Sequence, residues 1–138
     1  MADTRRVKIL ALVAALVPAV ALAQSLQIDA PVTVAGIETV CTGIGLDART
    51  DPRWLAYGLK VEIAGPGGAY LADEQVTIRK GGVDLISVSC GAPWMLFRLP
   101  PGRYAVEARI GGQTASSAAF VPATGQGRII LRFAEAMP

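Results

Sequence analysis

The residues able to do chemistry in this chain are few, and the missing types narrow the possibilities further. Its 138 residues include no histidine and no asparagine. Without histidine there is no Ser-His-Asp triad, no Cys-His pair and no usual zinc site. A serine or threonine nucleophile would then need Lys, Asp or Glu as its base. Lys60 and Lys80 are the candidates for a Ser–Lys dyad, yet both fall on outward-facing or turn positions, where a lysine is normally solvated. Asp73-Glu74 is the only adjacent acidic pair, and it reads as a solvated turn rather than a metal or acid–base site. Asp47 and Asp51 stand without the ladder of oxygen ligands that calcium needs. The chain is therefore expected to be no enzyme, with no catalytic residue, no metal and no cofactor.

Cys41 and Cys90 are not arranged as Cys-x-x-Cys, so a redox role has little support. In an oxidising compartment an even pair most simply forms one disulfide. Closing a loop of this length is worth roughly 4 kcal/mol on the chain-entropy account.

Aromatic residues offer the one positive hint of a binding surface. Trp54 and Tyr57 fall on a short helix, Tyr70 in a Gly-rich connection and Trp94 just before an apolar strand, with Arg98 as a surface anchor near Trp94. Trp and Tyr join a large apolar area to a polar tip, which suits them to anchor a partner. The same property suits them to plug the open ends of a β-sandwich. Both readings stand at this point. Tyr104 is placed inward by its alternation.

The elements that must position these side chains are strands. Leu26–Val34 and Ile37–Thr42 are extended segments joined at Ala35-Gly36, the first irregular at Asp29 and Pro31. Asp51-Pro52 is an N-cap followed by Pro at the first helical position, predicting one short helix over Arg53–Tyr57, ended by Gly58. It is the only helix expected. Leu59, Val61 and Ile63 then alternate with polar residues, as do Val76 and Ile78, and Ile86, Val88 and Cys90. Met95, Phe97 and Leu99 alternate with Leu96 and Arg98. Tyr104, Val106, Ala108 and Ile110 follow the turn at Pro100-Pro101-Gly102. After Gly111-Gly112 come a small-residue strand, Thr114–Val121, and a last one with Ile129, Leu131 and Phe133 inward. Short strands at regular spacing with Gly/Pro turns predict an all-β sandwich or barrel in a single domain, residues 24–138.

Residues 1–23 read as a signal peptide. Arg5, Arg6 and Lys8 precede an apolar run from Ile9 to Leu22, and Ala21-Leu22-Ala23 supplies a cleavage site before Gln24. No membrane span is expected after cleavage, and no Cys at the new terminus suggests a lipoprotein. Cleavage removes three of the 13 basic and one of the 11 acidic residues, leaving ten of each. A neutral chain with interspersed signs offers no electrostatic footprint for nucleic acid or an anionic membrane. The expected location is periplasmic or secreted, by Gram-negative-type export.

From Val83 to Gln113 the order is strand, Ala92-Pro93-Trp94, apolar strand, Leu99-Pro100-Pro101-Gly102-Arg103-Tyr104, strand, Gly111-Gly112. This resembles the carboxypeptidase regulatory-like domains, which are prealbumin-like sandwiches. Gly43-Ile44-Gly45 and Gly68–Asp73 are similar to a group of small exported proteobacterial members. The resemblance covers roughly Ile37 to Gly112. It implies a single seven-stranded antiparallel β-sandwich, prealbumin-like or Ig-like, acting as a non-catalytic accessory domain. The lack of histidine argues against the transthyretin-like hydrolases of the same general fold, and the lack of asparagine against the Lys–Asn crosslink of related adhesin repeats. The expected function is an exported module that binds an unidentified protein or cell-envelope component. The alternatives are a small-ligand-binding protein or hydrolase of transthyretin-like fold, and a structural envelope subunit that pairs sheet edges with itself.

Overall fold

The computed structural model describes residues 23–134, so the signal-peptide reading lies, but for Ala23, outside the described residues. Ten strands form two five-stranded sheets. The first has the order β1 (Gln24–Ser25), β6 (Val83–Cys90), β5 (Glu74–Lys80), β8 (Gly102–Ile110), β9 (Gln113–Val121). The second has the order β10 (Gly127–Arg132), β4 (Leu59–Ala64), β7 (Trp94–Phe97), β3 (Ile37–Thr42), β2 (Val32–Val34). Tight turns set the registers. Lys80 pairs with Val83 across Gly81-Gly82, both at positive φ, the geometry that matches the twist of a two-residue hairpin.

The expectation of seven antiparallel strands is corrected in number and in sense. Two pairings are parallel, β1 with β6 and β10 with β4. In each case the chain reaches its neighbour from elsewhere instead of through a hairpin. Residues 122–126 carry it from β9 in the first sheet to the far edge of the second, where Gly127–Arg132 run beside Leu59–Ala64 in the same direction. The remaining pairings between these strands are antiparallel, and an isolated parallel bridge joins Ile28 to Cys41.

The single expected helix is also revised. Pro52–Ala56 is a 3₁₀ turn, and the Asp51 side chain caps it by accepting from the Arg53 N–H at 2.9 Å. A four-residue α-helix, α1 (Leu46–Arg49), precedes it, and a further 3₁₀ turn spans Pro66–Gly68. α1 buries none of its residues, so no apolar periodicity marked it in the sequence.

The main core lies between the sheets. Leu59, Val61, Ile63, Met95 and Phe97 of the second sheet meet Val76, Ile78, Val88, Val106 and Ala108 of the first. Cys41 on β3 is bonded to Cys90 on β6, tying one sheet to the other. That bond fits an oxidising compartment. Tyr104 is buried and its hydroxyl donates to the Pro100 carbonyl at 2.6 Å, bracing the turn that feeds β8.

All four residues of β7 are buried, against the alternation read from the sequence. β7 is the central strand of its sheet, and both its faces are covered. Met95 and Phe97 face the first sheet. Leu96 packs with Val40, Trp54 and Tyr57 in a second, smaller core on the outer side. Among the described residues no helix is long and apolar enough to cross a membrane.

Candidate functional site on the outer face of the second sheet

Strand register brings the chemistry of this molecule onto the outer face of the second sheet. Val40, Leu96, Lys60 and Arg128 stand side by side across β3, β7, β4 and β10. Thr42, Trp94, Glu62 and Ile130 form the next row. Directly opposed residues share a face and lie close enough for their side chains to interact.

Trp94 is the hub. Its ring rests on the backbone at Gly43, where an added Cβ would lie 2.6 Å from the ring Cγ. Lys60 Nζ lies 4.2 Å from the centroid of the Trp94 ring. The Tyr70 ring meets Trp94 edge-on, with centroids 6.3 Å apart and planes at 80°. The Arg49 guanidinium stands 4.8 Å from the Tyr70 centroid, and its Nε donates to the Gly43 carbonyl at 2.8 Å. The Tyr70 hydroxyl donates to Glu62 Oε1 at 2.9 Å. The other Glu62 oxygen accepts from Arg128 Nε in an ion pair.

The electrostatics follow from that geometry. Glu62 is only 1% exposed, yet both of its oxygens are engaged. Its hydrogen bond to Arg128 holds that guanidinium more firmly charged than usual. Neither Arg49 nor Lys60 is ion-paired among the described residues; both cations lie over aromatic rings instead. Trp94 Nε1 is buried and has no hydrogen-bond partner among the described residues. Tyr70, at 41% exposure, is the aromatic side chain of this network that reaches solvent.

The five residues singled out in the sequence divide into two groups. Tyr70 and Trp94 come together as described. Trp54 and Tyr57 pair edge-on at 6.1 Å but are 4% and 2% exposed, and they form the outer core with Leu96 and Val40. Trp54 Nε1 donates to the Ala48 carbonyl at 2.8 Å, and Gln126 Nε2 donates to the carbonyls of Trp54 and Tyr57. Burial raises the Tyr57 phenol above its ordinary pKa. Arg98 lies over Tyr57, 4.7 Å from its centroid, and is ion-paired to Glu38. Its neighbour is thus Tyr57 and not Trp94. The rings of Trp54 and Tyr57 serve as core, which leaves Tyr70 as the solvent-facing aromatic of the five.

Arg49, Glu62 and Arg128 were not singled out in the sequence. Glu62 alternates with Val61 and Ile63, so the pattern marked it as outward; that it is also buried follows from Tyr70 and Arg128 closing over it. The Asp73-Glu74 reading needs a correction as well. Glu74 is not in a solvated turn. It is 1% exposed, opposes Cys90 in the β5–β6 register, and neither carboxyl oxygen has a partner from another residue among those described. Lys80, like Lys60, lies over a ring, with Nζ 4.6 Å from the Tyr104 centroid. Among the described residues no three acidic or thiol side chains come together as a metal-holding group.

In comparisons with known proteins, no family model matches the chain and no curated protein matches it significantly.

Proposed function

We propose that this chain is a non-catalytic module, exported to the periplasm or beyond, that binds a protein or cell-envelope component through the outer face of its second sheet. One observation carries the reading. The exposed Tyr70 ring is fixed by Arg49 over its face, by Trp94 at its edge and by Glu62 at its hydroxyl. A ring held in place before binding loses little freedom on binding, and aromatic and arginine side chains supply most interface hot spots. The resemblance to carboxypeptidase regulatory-like domains supports an accessory role. The disulfide and the signal-like N-terminus support export.

Crosslinking of the tagged protein in its native envelope tests the proposal. Tyr70→Ala is expected to lower capture of a specific partner at least about tenfold, as loss of one hot-spot side chain does, while the domain stays folded by near-UV circular dichroism. Undiminished capture by the folded variant rejects this surface.

A further inference from the structure

We propose that β9 pairs with β9 of a second copy of this chain, antiparallel and about a twofold axis at Ser116. β9 is an edge strand, and among the described residues it is paired on one side only, to β8 along its whole length. The unpaired N–H and C=O groups of such an edge recruit another strand unless something shields them. The other edges are short or carry charge, including the stretch of β6 from Val83 to Ser87 that β1 leaves uncovered, which holds Asp84. β1 has two residues, β2 has three and follows Pro31, and β10 carries Arg128 and Arg132. β9 has nine residues with neither a charge nor a proline. Thr114, Ser116, Ser117 and Ala118 are all exposed. Ser117 is exposed although it shares the inward parity of buried Ala119 and Val121, so both faces of the strand are open at its centre.

Three features select a second copy as the occupant. The strand carries no charge, so two copies meet without like-charge repulsion, while a charged partner would find no counter-charge on it. The side chains from Thr114 to Ala118 are small, so the same surface lies flush against itself. The edge is also closed at Phe120, whose carbonyl oxygen is so near Gly127 that a Cβ there would sit 2.2 Å from it. The open stretch, Thr114 to Ala118, has Ser116 at its middle. A twofold axis perpendicular to the sheet keeps each face on its own side and sets Ser116 opposite Ser116, Ala115 opposite Ser117 and Thr114 opposite Ala118. The contact is isologous and closes at two subunits, joining two five-stranded sheets into one.

Sedimentation and light scattering of the full exported chain test this from about 1 μM to about 1 mM, the range in which a small interface associates. The mass is expected to double with concentration and stop at two. Ser116→Lys sets like charges opposite each other and is expected to abolish the dimer without moving the unfolding midpoint measured at the lowest concentration, where the parent is a monomer. Ser116→Cys is expected to crosslink two copies on oxidation. Thr114→Cys is not, because two Thr114 residues would lie four positions apart, roughly 13 Å and beyond the reach of a disulfide. A monomer throughout, a dimer indifferent to Ser116→Lys, equal crosslinking by both cysteines or open-ended growth would each overturn the proposal. So would a dimer seen only after residues 135–138 are removed, which would make the C-terminal tail the occupant of this edge.

Discussion

The hydroxyl of Tyr70 donates to Oε1 of Glu62 at 2.9 Å, so a ring that reaches solvent is tethered to a carboxylate that does not. Glu62 needs both of its partners because a buried carboxylate left half-satisfied is costly. Tyr70→Phe keeps the ring and removes the donor. We expect it to lower stability by about 1–3 kcal/mol, the usual cost of orphaning a buried acceptor, read from urea unfolding. A midpoint identical to the parent's would show that Oε1 finds another donor.

Glu74 gives the domain a pH dependence of opposite sign to that of a salt-bridged acid. Burial pushes its carboxyl up to about 8, with the neighbouring Asp73 adding to the effect. The folded state therefore holds a proton that the unfolded chain releases near its ordinary value of 4.5. Stability contributed by this group is full below about 4.5, falls as pH rises and levels off above about 8. The slope from this single group is at most about 1.4 kcal/mol per pH unit. Glu74→Gln keeps the shape and removes the titration, so its melting temperature should lose most of the decline that the parent shows between pH 5 and pH 8. Parallel curves for the two proteins would exclude Glu74 as the cause.

Gly43 supports Trp94 in two ways. Its φ is +104°, a conformation L side chains rarely adopt, and the ring occupies the space a Cβ would need. Gly43→Ala combines a strained backbone with overpacking, each costing about 1–3 kcal/mol. The loss in denaturant midpoint should come with a shifted tryptophan emission, because Trp94 must move. Unchanged emission together with unchanged stability would show that the Gly43 loop yields instead.

Much of the sandwich was legible in the sequence because its strands have one wet and one dry face. Leu59, Val61 and Ile63 alternate as the inner side of β4, and Tyr104, Val106, Ala108 and Ile110 as that of β8. The pairing of Cys41 with Cys90 was legible too, since two cysteines allow one intramolecular bond. Alternation failed where both faces are covered. Leu96 looks outward by period, yet a 3₁₀ turn far from it in sequence supplies Trp54 and Tyr57 as its cover. Strand direction is likewise not a local property. Nothing between Gly127 and Arg132 says that their neighbour will be Leu59–Ala64. The candidate site was half legible for the same reason. Tyr70 and Trp94 declare themselves by type, whereas Lys60, Glu62 and Arg128 become a network only through a register spanning three strands.

The late pairing of β10 with β4 also bears on the order of events during synthesis. β4 is made early, but one side of it has no neighbour until Gly127–Arg132 leave the ribosome, and Leu131 and Phe133 complete the core only then. Contacts so distant in sequence are slow to form because a long loop must close first. The nascent chain thus lacks the edge strand beside β4 until β10 has been made. Of the pairings among the described strands of the second sheet, this one is the last to become possible.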